Sequence, residues 1–278
     1  MPLTKRDPEN NTHFVILGGG AAGLNCAETL RQSGFSGKIT MVSKEESVPY
    51  DRTLLSKAIA SGDSSKFGLR DEGFLKDADI DVSLKVPVFS IKPEEKKVIL
   101  RNGKKLFYDK LCIATGCDPW KPPVPGLDLP NVFPLRTDKD QKKIKEACAG
   151  AKNIVIIGAS FIGSECAASL KAHYKDAVNI SMVNGESVPF ELTLGKELGA
   201  YYQKEHAANG VTVHNSVLIQ SATAGDDGKV KSVTLNDGSE LPADVVILGT
   251  GVRPATKFLA NSGIEMDRMG GLVCDPFM

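Results

Sequence analysis

The chain has 278 residues, which is enough for two domains of ordinary size, each with its own hydrophobic core. Its 34 lysine and arginine residues balance 34 aspartate and glutamate residues, so charge gives no reason to expect binding to nucleic acid or to an anionic membrane surface. No apolar run approaches the roughly 18 residues of a membrane-spanning helix, and the polar, mixed-charge segment 1–11 lacks the pattern of a targeting peptide.

The first predicted elements are a strand, a glycine-rich loop and a helix. His13–Leu17 is a β-branched and aromatic run typical of a buried strand, and Leu24–Gln32 has the apolar spacing of a helix. Between them, Gly18 would permit a tight turn, Gly20 a close approach of the backbone to a pyrophosphate, and Gly23 close packing of helix on sheet. The expected dinucleotide contacts of this loop are Gly18, Gly20, Ala21, Ala22 and Gly23.

A second strand, Ile39–Ser43, is followed by two acidic residues. In a dinucleotide-binding fold, an acidic side chain at this point accepts hydrogen bonds from ribose hydroxyls. Glu45 is the predicted ribose ligand, with Glu46 as its neighbour. The alternative is that both are solvated charges after a strand.

The first half continues with short predicted strands that form an antiparallel meander. Val86–Ile91 and Val98–Leu100 precede the hairpin signal Asn102-Gly103. The strand Lys110–Ala114 then leads into the turn Ala114-Thr115-Gly116.

The second half repeats this order. Its predicted elements are the strand Asn153–Ile157, the loop Gly158–Gly163, a helix over Ser164–Lys171, a strand over Val178–Val183, the meander strands Val211–Ser221 and Val230–Leu235, and the turns Asp237-Gly238 and Gly249-Thr250-Gly251. The two glycine loops and the two later turns lie in register. This repeat predicts an α/β fold of two Rossmann-like domains, each with a central parallel sheet and an antiparallel β-meander.

The second loop departs from the first in two ways. Its expected nucleotide contacts are Gly158, Ser160, Phe161, Ile162 and Gly163, with Ser160 in place of the middle glycine. The usual acidic position after the next strand is assigned to Asn184, and Glu186 could still reach the ribose. Because no arginine follows there for a 2′-phosphate, NAD(H) is favoured, without excluding NADPH.

Three segments carry a family resemblance: the run Pro49-Tyr50-Asp51-Arg52-Thr53-Leu54-Leu55-Ser56-Lys57, the Ala-Thr-Gly turn, and the second glycine loop with its following Ser164-Glu165. Together they resemble the apoptosis-inducing-factor and ferredoxin-reductase-like flavoproteins. Within that family, the chain is similar to the apoptosis-inducing factor 3 branch, whose members also carry a Rieske-type domain upstream. The resemblance implies that 1–135 form the first part of an FAD-binding domain, 136–250 an NAD(P)H-binding domain, and 251–278 an incomplete return to the first.

The same resemblance implies further site residues. Arg52 is expected on the FAD pyrophosphate and Lys57 near the flavin ring. Glu165 is expected close to the nicotinamide, and its alternative role is to complement the helix dipole; Lys57 and Glu165 are the catalytic candidates. The remaining expected cofactor contacts are Val88 at the adenine, Thr115 and Gly116 in the Ala-Thr-Gly turn, and Gly251 near the nicotinamide.

The cysteines and histidines predict neither a redox disulfide nor a metal site. Cys112 and Cys117 share the C-x4-C spacing of lipoamide-dehydrogenase-like proteins, but they bracket the turn, whereas the segment 47–57 that should hold such a pair has no cysteine. The four histidines are dispersed without ligand spacing. The scattered cysteines favour a reducing compartment, which the family suggests is mitochondrial, with a cytoplasmic location left open.

The function implied by the resemblance is hydride transfer from NAD(P)H to FAD, followed by delivery of electrons to an acceptor. The acceptor is left open between a ferredoxin-like protein or Rieske-type domain, a quinone, oxygen and a dye. Resembling proteins continue into a Gly-Asp motif and a C-terminal interface domain, so the chain is expected to be truncated or to work within an oligomer or larger complex. The alternative is a non-catalytic scaffold or NADH-sensing subunit that retains the fold.

Overall fold

The computed structural model describes residues 3–276. Residues 1, 2, 277 and 278, which belong to the predicted FAD-binding domain, lie outside the described residues. Of those described, 3–52, 65–118 and 252–276 form one compact unit, and 53–64 and 119–251 form a second.

Within the described residues the helices are α1 (Ala21–Gln32), α2 (Leu54–Lys57), α3 (Glu72–Asp77), α4 (Asp138–Cys148), α5 (Phe161–Tyr174) and α6 (Glu191–Ala208), with 3₁₀ turns at Ser64–Lys66, Pro93–Glu95, Lys175–Ala177 and Lys257–Leu259. The strands are β1 (His13–Leu17), β2 (Lys38–Val42), β3 (Ile80–Ser83), β4 (Val88–Lys92), β5 (Lys97–Leu100), β6 (Lys105–Phe107), β7 (Lys110–Ile113), β8 (Cys117–Pro119), β9 (Val132–Pro134), β10 (Asn153–Ile157), β11 (Asn179–Val183), β12 (Val211–His214), β13 (Ile219–Ala224), β14 (Val230–Leu235), β15 (Glu240–Pro242), β16 (Val245–Leu248) and β17 (Val252–Pro254).

The first unit is built on a parallel sheet with the strand order β3-β2-β1-β7. Alternate residues of β1 point to opposite faces, as expected for a strand covered on both sides. Ile16 packs with Leu24 of α1 on one face. Val15 and Leu17 pack on the other face with Val98 of the antiparallel sheet β4-β5-β6. The sheet is therefore the middle of three layers.

The second unit has the same layers around a parallel sheet with the strand order β12-β11-β10-β16-β9. Val155 and Ile157 of β10 pack on Val233 and Leu235 of the antiparallel sheet β13-β14-β15. Helix α5 contacts β10 and β11, and α6 contacts β12. The predicted fold class, two Rossmann-like units each with a meander, is confirmed.

In each unit an aspartate joins the parallel strand that follows the meander to the strand that precedes the glycine loop. The carboxylate of Asp109 accepts a hydrogen bond from the backbone N–H of His13 at 2.8 Å, and its own N–H donates to the carbonyl of His13 at 2.9 Å. The carboxylate of Asp244 accepts from the backbone N–H groups of Lys152 and Asn153, both at 2.8 Å. These bonds explain why an aspartate follows the hairpin turn at the same spacing in both halves.

The predicted bounds of three elements differ from the structure by three residues or more, and those of several strands by one or two. Helices α1 and α5 begin at Ala21 and Phe161, three residues before the predicted starts. Their N-cap residues, Gly20 and Ser160, are themselves part of the glycine loops. The predicted strand Val211–Ser221 is broken, because Ser216 adopts a left-handed backbone with φ 58°. Its first part is the parallel strand β12 and its last part opens the meander as β13.

Two segments that the sequence grouped with the first domain cluster with the second unit. These are 53–64 and 119–135. The first contains α2, which packs against α5, and the second contains β9, which pairs in parallel with β16. Both elements thus take part in the packing of the second unit.

No helix in residues 3–276 combines the length and apolar character needed to cross a membrane.

Candidate functional site

The first glycine loop connects β1 to α1 where close backbone contacts exclude larger residues. Gly18 has φ +120°, and a Cβ there would lie 2.1 Å from the carbonyl oxygen of Ala114. A Cβ on Gly23 would lie 2.0 Å from the carbonyl oxygen of Gly18. By contrast, a Cβ on Gly20 would meet no atom within 4 Å, so the space beside Gly20 is open. This is the arrangement that lets a backbone approach a pyrophosphate.

The second glycine loop repeats these contacts between β10 and α5. Gly158 has φ +101°, and its Cβ would lie 2.4 Å from the carbonyl oxygen of Gly249. A Cβ on Gly163 would lie 1.9 Å from the carbonyl oxygen of Gly158. Ser160, which replaces the middle glycine, is exposed, so a side chain is accommodated there.

The helices after both loops begin without a side-chain cap. Neither Gly20 before α1 nor Ser160 before α5 supplies a side-chain acceptor, and neither helix has an acidic residue in its first turn. Helix α4, in contrast, starts with a capping box in which Thr137 and Asp140 bond each other's backbone N–H groups. The first N–H groups of α1 and α5 are thus available to an anion, which the helix dipole favours there. The residues of these first turns are Ala21 and Ala22, both exposed, then Phe161, exposed, and Ile162, half-buried.

Glu45 and Arg52, the predicted ribose and pyrophosphate ligands, lie together in the first unit. Nη2 of Arg52 is 2.7 Å from Oε1 of Glu45, and the hydroxyl of Tyr50 donates to Oε2 of Glu45 at 2.6 Å. Burial alone would lower the pKa of Arg52, but its hydrogen bonds to Glu45 and Tyr50 raise that pKa above the ordinary value. Arg52 therefore carries a fixed positive charge beside a fixed carboxylate.

Lys57 and Glu165, the two catalytic candidates, form an ion pair within the second unit. Nζ of Lys57, at the end of α2, is 2.9 Å from Oε1 of Glu165 on α5. The hydroxyl of Ser56 donates to Oε2 of the same carboxylate at 2.5 Å. The Lys57 side chain is 49% exposed, so its ammonium group is held in position while remaining accessible.

The other residues predicted to contact cofactors are spread over strand ends and turns. Val88 is the first residue of β4 and pairs with Leu100, and its half-buried side chain packs on the core. Thr115 and Gly116 follow β7, where the carbonyl of Gly116 accepts from the N–H of Ala255 at 2.9 Å. The carbonyl of Gly251 accepts from the N–H of Trp120, also at 2.9 Å.

A cavity of about 550 Å³ lies in the second unit where the glycine loop meets the turn after β16. Gly158 and Ser160 line one side, and Gly249 and Gly251 line another. Glu186 also lines it, and no Lys or Arg is among its lining residues within the described part of the chain. Its volume falls in the range of about 300–1,000 Å³ that is typical of ligand pockets.

Backbone hydrogen bonds place Glu186, and not Asn184, at the position that Glu45 has in the first unit. The carbonyl of Glu45 accepts from the N–H of Lys85 at 2.9 Å, and the carbonyl of Glu186 accepts from the N–H of Ser216 at 2.8 Å. Glu45 follows the end of β2 at the same spacing as Glu186 follows the end of β11.

Asn184, which the sequence placed at the acidic position, corresponds instead to Ser43. Both side chains are buried directly after a strand. Asn184 Nδ2 donates to the carbonyl of Glu186 at 3.1 Å and to the side-chain oxygen of Asn215 at 2.9 Å. Its amide is therefore part of the loop structure, while Glu186 faces the cavity.

Several residues of these sites were missed in the sequence. Tyr50 and Ser56 lie inside the recognised PYDR…LSK run, so the run itself pointed to them. Trp120 and Glu191 line the cavity, but nothing in the local sequence marks them. Across residues 3–276, no group of three or more His, Cys, Asp or Glu side chains is arranged to hold a metal ion.

Comparison with known proteins gives consistent matches. The chain matches the pyridine nucleotide-disulphide oxidoreductase family model over residues 12–278. It is 36% identical to human apoptosis-inducing factor 3 over 97% of this chain and 44% of that protein, and 34% identical to rhodocoxin reductase of Rhodococcus erythropolis over 95% and 61%. The structure of the ferredoxin reductase for the CYP199A2 system from Rhodopseudomonas palustris superposes with a TM-score of 0.89 at 31% identity, covering 95% of this chain and 64% of that one. The chain thus spans 44% to 64% of the length of these proteins.

Proposed function

Because this chain belongs to the pyridine nucleotide-disulphide oxidoreductase family, we propose that it binds FAD in its first unit and NADH in its second, and serves to pass electrons from NADH to an acceptor. The observation that carries the proposal is the repeated glycine loop followed by an uncapped helix. Bound FAD would supply the ability to take a hydride from the nicotinamide and to release electrons singly.

In the first unit, the N–H groups at the start of α1 and the guanidinium of Arg52 would hold the FAD pyrophosphate. The open space beside Gly20 leaves room for the phosphates. Glu45 would accept the ribose hydroxyls. A carboxylate has about four acceptor sites, so Glu45 can bind a hydroxyl while keeping its bonds to Arg52 and Tyr50.

In the second unit, Lys57 and Glu165 would act as a fixed pair. Glu165 holds the ammonium of Lys57, and Ser56 in turn orients Glu165. An ammonium held at the flavin ring would favour the ring's reduced, anionic form.

The cavity of the second unit favours NADH over NADPH. Glu186 would accept the ribose hydroxyls of NADH, as Glu45 would those of FAD. Glu191, fixed by the N–H and hydroxyl of Ser187, adds a second carboxylate to the cavity lining. Glu191 is also ion-paired with Lys196 at 3.5 Å, so Glu186 is the carboxylate that would meet the ribose. Because no lining residue in the described part of the chain is basic, a 2′-phosphate would meet the negative charge of Glu186 without a basic partner in the cavity wall.

The proposed acceptor is an iron–sulfur protein of the ferredoxin class. Its support is the naming of similar proteins as rhodocoxin reductase and as a ferredoxin reductase. A reducing compartment, mitochondrial or cytoplasmic, belongs to the same proposal, because the six cysteines lack the paired spacing of a disulfide framework.

The test is to purify the chain, record its visible spectrum with and without added FAD, and titrate it anaerobically with NADH. We expect a flavin spectrum that bleaches on reduction. Retained flavin that NADH does not bleach would favour the non-catalytic alternative. Failure to hold FAD at all would contradict the proposal for this chain.

Two further variants separate folding from binding. Gly20→Ala should fold, since its methyl group meets no atom within 4 Å, yet lose FAD because the methyl group occupies the phosphate approach. Gly68→Ala is the matched control: its Cβ would be 3.7 Å from the nearest atom, the carbonyl oxygen of Arg70, so flavin content should not change. Equal flavin content in both variants would refute the assignment of the first loop.

Lys57→Met should slow flavin reduction by NADH at least about tenfold, which corresponds to roughly 1.4 kcal/mol. Glu165→Gln should give a smaller loss, because it releases the ammonium without removing it. Stopped-flow absorbance measures both rates, with Lys142→Met on the exposed face of α4 as the control. Unchanged rates in both variants would remove Lys57 and Glu165 from the mechanism.

A further inference from the structure

Two cysteines that are far apart in the sequence pack against the same core cluster between α1 and the parallel sheet of the first unit. Cys112 of β7 is the register partner of Ile16 in β1, and both pack into the core cluster on the helix side of the sheet. Gly23 of α1 lies above Ile16, since its Cβ would be 3.2 Å from Cγ2 of Ile16. Cys26 is one helical turn further along α1 and packs against the same cluster.

The two thiols also interact directly. Burial, followed by the charge and the hydrogen bond of Cys26, raises the pKa of Cys112 to about 12. Cys112 is therefore protonated at neutral pH, and its thiol is hydrogen-bonded to the side chain of Cys26. Both side chains are partly exposed, so a small reagent can reach them. Cys117, which shares the C-x4-C spacing with Cys112, lies in β8 and contributes nothing to this pKa shift.

We propose that Cys26 and Cys112 form a thiol modification site, at which a hydroperoxide oxidises the two thiols to a disulfide that joins α1 to β7. The proposal does not rest on FAD or NADH binding, because both sulfur atoms belong to the packed core of one unit.

The reaction balances in two steps. The sulfur of Cys26 attacks the terminal oxygen of the hydroperoxide, so that an S–O bond forms and the O–O bond breaks. The departing oxygen takes the proton of the Cys26 thiol and leaves as an alcohol or water. The sulfur of Cys112 then attacks the sulfur of Cys26, so that the S–S bond forms and the S–O bond breaks. The hydroxide that departs takes the proton of Cys112 and leaves as water. Two thiols lose two electrons in total, and one hydroperoxide is reduced.

This disulfide would join the two elements that frame the first glycine loop. Helix α1 starts directly after Gly20, and β7 leads into Thr115. Oxidation would therefore restrict movement of the first glycine loop relative to the turn that contains Thr115, at the same edge of the sheet.

Mass spectrometry of the peroxide-treated full chain tests the proposal. The reduced protein is treated with hydrogen peroxide, its remaining thiols are alkylated, and it is digested with trypsin. Cys26 lies in the tryptic peptide 7–31, whereas Cys112 and Cys117 share the peptide 111–136. The Cys117→Ser variant therefore makes the assignment unique.

We expect the linked pair 7–31 and 111–136 in the wild type and in Cys117→Ser, and its loss in Cys26→Ser and Cys112→Ser. Loss of the linked pair in Cys117→Ser would overturn the proposal. So would single oxidation of the thiols without a linked peptide.

A trivalent arsenical gives a second measurement that needs no oxidant. Phenylarsine oxide binds two neighbouring thiols and releases water. One equivalent should protect two thiols of the folded wild type and of Cys117→Ser from alkylation, but no pair in Cys26→Ser. Circular dichroism checks that each variant is folded, and failure to protect a pair in the folded wild type would refute the site.

Discussion

Replacing the buried Arg31 with methionine should destabilise the first unit strongly. Arg31 lies on α1 with 0% of its surface exposed. Its guanidinium donates to four backbone carbonyls, those of Ala78 at 2.9 Å, Phe35 at 2.6 Å, Gly37 at 2.9 Å and Asp79 at 2.8 Å. One side chain thus ties the end of α1 to the turn before β2 and to the segment that leads into β3.

The expected cost follows from what each carbonyl loses. The bonds to Ala78 and Gly37 are buried, so each of these acceptors would be left without a partner, at about 1–3 kcal/mol. The bonds to Phe35 and Asp79 are only partly buried, and water can replace them. Burial lowers the pKa of Arg31, which means that its charge is costly to bury and that removing it offsets part of the loss. We therefore expect a net loss of about 3 kcal/mol, a large fraction of the stability of an ordinary domain.

Urea unfolding followed by circular dichroism measures this loss. The matched control is Arg6→Met, because Arg6 is exposed and bonds Asp79 only through its backbone N–H. The control should change the free energy of unfolding by less than about 0.5 kcal/mol. A loss below about 1 kcal/mol for Arg31→Met, or a loss equal to that of the control, would refute the reasoning.

Two other substitutions test buried features of the second unit. Burial lowers the pKa of His206 below its ordinary 6.5, so the unfolded chain binds the proton more readily, and stability should fall as the pH drops through that value. His206→Gln should reduce this fall in urea titrations at pH 7.5 and 5.5, and an unchanged pH dependence would contradict it. Gly126→Ala should cost well over 1 kcal/mol, because its Cβ would lie 2.0 Å from the carbonyl oxygen of Ala222. Gly238→Ala has a similar φ (+87° against +83°) but open space around it, so it should cost only about 1 kcal/mol; equal melting temperatures for the two variants would contradict the clash.

The features that the sequence predicted well are those that a short segment determines by itself. The strands His13–Leu17, Asn153–Ile157 and Val230–Leu235 have the predicted bounds, because each is rich in apolar and β-branched residues and lies between turn or loop residues. The glycine loops were also recognised locally, since Gly18 and Gly23 contact backbone atoms of their own strand–loop–helix unit and of the strand beside it.

The features that the sequence could not predict depend on residues far apart in the chain. Neither the contact between Cys26 and Cys112 nor the bond from Ser56 to Glu165 leaves a spacing pattern. The break in Val211–Ser221 was missed for a different reason. The segment is rich in β-branched and apolar residues at both ends, and the turn-favouring pair Asn215-Ser216 in its middle was overlooked. Ser216 adopts a left-handed backbone there, which divides the segment between two sheets.

The two ribose positions show how the fold can move a functional residue along the sequence. At the end of β11, the side chain of residue 184 is buried and donates hydrogen bonds to the carbonyl of Glu186 and to the side-chain oxygen of Asn215. An aspartate there would direct its own oxygens at these acceptors, leaving a buried charge without a donor. The loop therefore requires a neutral donor at 184, and the first position at which a carboxylate can reach the cavity is Glu186. The carbonyl of Glu45 accepts the equivalent backbone hydrogen bond in the first unit, so Glu45 and Glu186 occupy the same position in the two folds. In the sequence, that position had been assigned to Asn184, the residue directly after the strand.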